Sequence, residues 1–221
     1  MSTAAPLRLA ILISGRGSNM EALASACAGG ALAARVVVVI ADRGGAGGLD
    51  AARARGLETA ALVHRGERPV FERELAAALE RHRPDAVALA GFMRVLSGQF
   101  VARYLGRMFN IHPSLLPKYR GLDTHRRVLA AGDAVHGASV HFVTPELDAG
   151  PVVLQSQVAV EPADTEATLA ARVLATEHVI YPRVIGWFAD GRLAWREGAA
   201  WLDGRRLAAP LVEDFRAAAA P

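Results

Sequence analysis

Cysteine and lysine are almost absent from this sequence. A single cysteine, Cys27, in 221 residues excludes an internal disulfide and any zinc site built on several thiolates. Its neighbours are helix formers, so a buried, inert thiol is the expectation. Long apolar runs are missing too: Val36–Ala41 and Ala86–Ala90 are far too short to span a bilayer. Met1–Pro6 has no basic stretch leading into an apolar core, so no secretory leader is expected and a cytoplasmic location follows. Of the 25 basic residues only Lys118 is lysine, which explains a pI near 9.6 beside a net charge of only +3. The basic residues form no run, so sequence-independent nucleic-acid binding is not expected. A small anionic ligand is compatible with this balance.

At 52% hydrophobic and 21% charged, the chain can bury a sizeable core within one domain. Its first half alternates strand-like and helix-like segments. Leu7–Ser14, Arg35–Ala41 and Asp85–Ala90 read as buried strands, with a weaker one at Glu58–Val63. Asn19–Ala28, Leu49–Arg55 and Pro69–Arg83 read as the helices between them. That order predicts an α/β fold with an open, mostly parallel, Rossmann-like sheet and helices on both faces. Further on, Phe109–Ile111, Ala138–Val143 and Val152–Val160 are strand-like, and Leu193–Arg196 with Ala199–Leu202 suggest a terminal hairpin. Thr165–Ala189 is a long helix that Pro182 is expected to kink or break. Ligands of such sheets sit beyond the carboxyl ends of the strands, so the functional loops should follow Ser14, Ala41, Ala90 and Ile111.

The first of these loops, Ser14-Gly15-Arg16-Gly17-Ser18-Asn19, opens a helix. Glycines there allow close backbone approach, and free amides at the positive end of a helix attract an anion. Asp42, near the end of the second strand, would suit a dinucleotide ribose, but Met20 stands where the third glycine of that fingerprint belongs. Ser18 and Asn19 fit a terminal phosphate better, or simply cap the helix. In the second half, strand alternation puts Asn110 and His112 on one side, pairing an amide donor with an imidazole as a clamp for a developing oxyanion. Asp148, within Leu147-Asp148-Ala149-Gly150-Pro151, could act on His112 or be an ordinary turn residue. Spacing alone does not decide.

The segments ISGRGSN (13–19), LAGFMRVLS (89–97), NIHPSLLPKYRGLDTHR (110–126), HGASVHFVTPELDAGPVVLQ (136–155), TEHVIYP (176–182) and DGRLAWREGAAWLDGRRL (190–207) change that. With them the chain resembles the folate-dependent glycinamide ribonucleotide formyltransferase family, across almost its whole length. The resemblance implies a single domain over 1–221, with a phosphate-binding half (1–105) and a catalytic and folate-binding half (106–221). It implies formyl transfer from 10-formyltetrahydrofolate, as co-substrate, to the amine of 5′-phosphoribosylglycinamide in purine synthesis, without a metal. Asn110 and His112 would then stabilise the tetrahedral oxyanion, with His112 as general acid, Asp148 holding it protonated and Ser139 in support. Gly17, Ser18, Asn19, Met20, Glu21 and Glu177 would bind the ribonucleotide. Taken alone, Glu177 reads as a surface acid at the edge of an apolar stripe.

The folate would lie against Met93, Arg94, Val95 and Leu96, with Arg68 nearby, Asn110 at the formyl group, and a loop from Thr144 to Asp148 over the pterin. Without the resemblance, Met93 and Leu96 read as core packing and Arg94 as a solvated helix charge. Leu116–Pro117 is a candidate cis peptide. A methionyl-tRNA formyltransferase and a formyltetrahydrofolate hydrolase share the NIHPSLLP core, but this length is expected to leave no room for the tRNA-binding or regulatory domain each usually carries. A non-catalytic nucleotide-binding module is the remaining alternative. Small-molecule substrates and a monomer or weak homodimer are expected.

Overall fold

The computed structural model describes residues 5–63 and 66–217. Residues 1–4, part of the Met1–Pro6 segment, and 218–221 at the end of the catalytic half lie outside the described residues. Strands β1 (Leu7–Ile13), β2 (Ala34–Ala41), β3 (Thr59–Ala61), β4 (Ala86–Leu89) and β5 (Met108–His112) pair in parallel in the order β3-β2-β1-β4-β5. Helices α1 (Ser18–Ala28), α2 (Gly47–Ala54), α3 (Arg68–His82) and α4 (Gly98–Ala102) fill the connections. Beyond β5 come α5 (Thr124–Ala131), β6 (Val135–Phe142) and β7 (Val152–Ala159); β6 and β7 extend the sheet antiparallel. After the long helix α6 (Glu166–Ala189), β8 (Leu193–Arg196), β9 (Ala199–Leu202) and β10 (Arg205–Arg206) make a small antiparallel sheet. The last strand, β11 (Leu211–Asp214), runs parallel to β7 at the sheet edge.

Alternation along β1 explains why helices cover both faces. Leu9, Ile11 and Ile13 pack with Met20, Leu23, Leu169 and Val173 on one side. Ala10 and Leu12 pack with Phe71, Leu75, Leu79 and Phe100 on the other. Tyr181 is fully buried, and its hydroxyl shares its single proton between the backbone carbonyls of Leu89 and Phe109, tying α6 to β4 and β5. Strand order reverses between β1 and β4, which opens a crevice at their carboxyl ends.

Several expectations change. Helix α6 is continuous through Pro182, neither ended nor split there. Residues 92–97 are not helical, so Arg94 is no helix-surface charge. Cys27 is half-buried rather than buried, and partial desolvation pushes its thiol up to about 11, so it stays protonated and inert near neutrality. The Leu116–Pro117 peptide is cis. Among the described residues, no helix is long and apolar enough to cross a membrane.

Candidate active site

The loop after β1 and the loop after β4 meet at the crevice: the Ser14 hydroxyl accepts the Met93 amide at 2.9 Å. Gly17 precedes α1 with φ +81°, and a Cβ there would stand 2.9 Å from the Gly48 Cα. Only glycine meets both demands. No side chain caps α1, so neither Ser18 nor Asn19 serves as the cap that the bare sequence allowed. The helix start is left as a backbone cradle of the kind that binds anions.

Asn19 turns inward instead. Its Nδ2 donates to Glu177 Oε2 at 2.6 Å, joining residues 158 positions apart. Glu177 is 6% exposed, so it is not the surface acid that its stripe-edge position suggested. Burial raises its carboxyl above the ordinary range, and the Asn19 bond opposes that rise. The Asn19 Oδ1 is buried without a hydrogen-bond partner. Met20 is fully buried in the core, leaving only its backbone for a ligand. Glu21 is half-exposed and faces Arg55 at 3.6 Å.

Arg68, Met93, Arg94, Val95 and Leu96 line one cleft of about 240 Å³ together with Phe71 and Glu72. Met93 and Val95 are exposed while Leu96 is buried. The Arg94 guanidinium lies over the Phe71 ring and pairs with Asp42 Oδ2 at 2.9 Å. Arg43 sits on the other Asp42 oxygen, so this acid is neutralised by two arginines rather than open to a ribose.

At the end of β5, the register sets Asn110 opposite His141 and His112 opposite Ser139. His112 Nδ1 lies 3.5 Å from Asp148 Oδ2, and both side chains are 8% exposed. The His112 Nε2 donates to the Tyr119 carbonyl at 3.0 Å. The Tyr119 carbonyl is a pure acceptor, which places a proton on Nε2, while the Asp148 contact on Nδ1 is an ion-pair distance. Asp148 Oδ2 also accepts the Gly121 amide at 2.9 Å. Ser139 is fully buried and does not reach His112. Its hydroxyl donates to the Ser114 carbonyl and accepts from the Leu116 amide and Gln155, bracing the turn that follows β5. Thr144 bonds the Glu146 carbonyl within its own loop, and the neighbouring Pro145 packs against Gly98 at the start of α4.

One site residue escaped the sequence reading. His141 Nδ1 donates to the Phe142 carbonyl at 2.9 Å, which leaves Nε2 as an acceptor for the Asn110 amide at 3.1 Å. Burial drives its pKa down, keeping the ring neutral and that acceptor open. Asn110 therefore spends one N–H on His141 and keeps a second to donate elsewhere. The available signal was the alternation of Ser139 and His141 along HGASVHF, but its meaning depends on a β5–β6 register that one sequence does not disclose.

A reversed strand order, an uncapped helix start at its switch point and an acid–amide–imidazole group beside it are the arrangement that a group-transfer enzyme on a Rossmann-like sheet requires. The chain belongs to the formyl transferase family, whose profile matches residues 7–185. It is 51% identical, over 91% of its length and 96% of the relative's, to the phosphoribosylglycinamide formyltransferase of Escherichia coli (strain K12). Among solved structures, the phosphoribosylglycinamide formyltransferase of Coxiella burnetii, in complex with CHES, superposes with a TM-score of 0.89 at 46% identity, covering 93% of this chain and 99% of that one. A formyltetrahydrofolate deformylase from Pseudomonas syringae shares the fold alone: TM-score 0.85 at 22% identity, over 90% of this chain and 67% of that one.

Proposed function

We infer that this protein transfers the formyl group of 10-formyltetrahydrofolate to the primary amine of 5′-phosphoribosylglycinamide in purine biosynthesis. The observation that carries the reading is His112 beside Asp148 at the end of β5, with Asn110 two residues before it on the same strand and bonded to His141. The ribonucleotide phosphate occupies the cradle of Gly17, Ser18 and Asn19, using the backbone amides of the first turn, and Met20 contributes its backbone only. Glu177, held by Asn19, meets a hydroxyl or amide of the ribonucleotide. Glu21 borders the same helix start. The folate fills the cleft of Arg68 and Met93–Leu96, with the loop from Thr144 to Asp148 alongside. The half spanning 1–105 thus holds the phosphate, and the half spanning 106–221 supplies the chemistry, within one domain.

In the reaction the amine lone pair attacks the formyl carbon, and the carbonyl π electrons move onto oxygen. The free Asn110 N–H and His112 Nδ1–H stabilise that oxyanion. Collapse of the intermediate breaks the bond to the folate N10, which takes a proton from His112 while Asp148, directly or through water, takes one from the amine. No protein metal enters this scheme. A cytoplasmic monomer or weak homodimer with small-molecule substrates and no nucleic-acid partner completes the reading. The test is to supply 10-formyltetrahydrofolate with phosphoribosylglycinamide or with water alone. Formylated ribonucleotide is the expected product; release of free formate at the same rate in both arms would make the protein a hydrolase, and no turnover would make it a binding module.

A further inference from the structure

The carbonyl that holds His112 Nε2 belongs to a turn that is also braced from within, where the Ser114 hydroxyl donates to the Lys118 carbonyl at 2.7 Å and the Lys118 amide to the Leu115 carbonyl at 3.1 Å. Tyr119 sits at φ +57°, between the Leu116–Pro117 turn and the start of α5, and is not part of any strand or helix. From the inner side this segment reaches two members of the site, through the Tyr119 carbonyl to His112 and the Gly121 amide to Asp148. On its outer side Arg120 pairs with Glu146 at 2.9 Å, and the Lys118 and Tyr119 side chains converge on one carboxylate. Asp133, in the short link between α5 and β6, accepts Lys118 Nζ at 2.9 Å and the Tyr119 hydroxyl at 2.9 Å on the same oxygen, Oδ2. The two donors keep its carboxyl below the usual range. Arg127 lies over the Tyr119 ring on the remaining side and donates to the Arg120 and Leu122 carbonyls.

We propose that Asp133 is a positioning residue for formyl transfer: through Lys118 and Tyr119 it holds the Tyr119 carbonyl on His112 Nε2, so that Nδ1 is the ring nitrogen presented to Asp148 and the reacting group. The proposal rests on the formyl-transfer reading for its kinetic consequence and on the Asp133–Tyr119–His112 geometry for the rest. A backbone carbonyl bound to one imidazole nitrogen fixes the ring's orientation and proton placement. Asp133 touches no substrate in this scheme; it acts through the segment. The sole lysine of the chain also finds a use here, as one of the two donors.

The experiment pairs steady-state kinetics with NMR of the His112 ring in the intact protein. Asp133→Ala is expected to lower kcat about fivefold to tenfold, the scale of losing two hydrogen bonds to one carboxylate near the surface, with both KM values within about twofold. The solvent exchange of the His112 Nε2 proton should speed up about as much. Tyr119→Phe, which keeps the carbonyl and the ring, should show a smaller change of the same kind and add nothing when combined with Asp133→Ala. If Asp133→Ala fails to fold, Tyr119→Phe and Lys118→Met carry the same two measurements. The proposal stands only if kcat and proton exchange move together; a normal kcat, a loss confined to KM, or an unchanged Nε2 proton overturns it. An inactive wild-type protein whose Nε2 proton still responds to Asp133→Ala would instead remove the formyl-transfer reading and leave the contact in place.

Discussion

At the carboxyl ends of β1 and β4 the chain presents backbone: a glycine held at φ +81° and an uncapped helix start. At the ends of β5 and β6 it presents side chains, and nearly every one is held by a second group. His112 is held by the Tyr119 carbonyl, Asn110 by His141, Asp148 by the Gly121 amide and Ser139 by three partners. The parallel strands end in loops that can approach a ligand closely, which suits binding a phosphate that does not change during the reaction. The antiparallel pair brings cross-strand neighbours into register, which suits fixing donors where charge develops. In the proposed function, binding and chemistry are separated along one sheet, and damage to each half should have its own kinetic signature.

The largest effect should come from the antiparallel half. His112→Ala removes the proposed acid and oxyanion donor, and kcat should fall about a thousandfold while ribonucleotide binding, measured by calorimetry, changes less than about threefold. Asp148→Ala should follow it closely. A purified Asp148→Ala protein with near wild-type turnover would erase the division between the halves.

The parallel half should answer differently. Gly17→Ala puts a Cβ 2.9 Å from the Gly48 Cα at a left-handed φ, a strain of roughly 1–2 kcal/mol before any overlap is counted. The cradle must shift, so the KM for phosphoribosylglycinamide should rise about tenfold with kcat nearly intact. Gly15→Ala is the control, because nothing lies within 4 Å of its Cβ and its φ is ordinary. Equal damage at both positions would show that the loop does not work through a tight approach to Gly48.

A smaller effect tests the link between the halves. Asn19→Ala leaves the buried Glu177 without its donor, which should cost on the order of 1–3 kcal/mol of stability and raise the ribonucleotide KM several-fold. Asn19→Ala with Glu177→Gln should recover much of the lost Tm but not the lost affinity. Recovery of both would mean that the pair is structural and does not meet the ligand.

These contrasts also explain what the sequence could tell. The strands of the parallel half were legible because a strand buried on both faces is a short, uninterrupted apolar run, as in Val36–Ala41. Gly17 was legible because the spacing of two glycines at a strand end has few other uses. The pairing of His112 with Asp148 came from family resemblance, which also named Asn19 and Glu177 as ribonucleotide binders but not their contact with each other; neither spacing implies proximity. Arg94 was misplaced on a helix because MRVLS has helical composition, while the Ser14–Met93 bond and the Asp42 ion pair tie the segment to the crevice as an irregular loop. Helix α5 buries only Thr124 and Val128, too little to make a visible stripe. Strand β11 is mostly exposed along LVED and owes its existence to the β7 edge. His141 stayed hidden because its role is a property of register.

The smallest expected effect concerns acid. Histidines 125, 136, 141 and 178 all have lowered pKa values, with burial as the leading cause, and all lie in the second half of the chain. His136, at the start of β6, is taken from 6.5 to about 4, and its Nε2 stands 3.1 Å from the His125 Nδ1. Between these pH values the unfolded chain binds the proton that the folded protein refuses, so unfolding takes up protons and stability rises with pH. The contribution is complete above pH 6.5 and is lost progressively as pH falls toward 4. Protonating both rings would also leave two donors facing one another across that contact. Tm should therefore decline through this window, and hydrogen exchange should quicken first in α5 and β6 while β1 and β2 stay protected. His136→Gln should flatten the decline. A Tm that does not change between pH 6.5 and 4, or exchange that quickens first in the parallel half, would place the acid-sensitive part of the protein on the wrong side of the comparison.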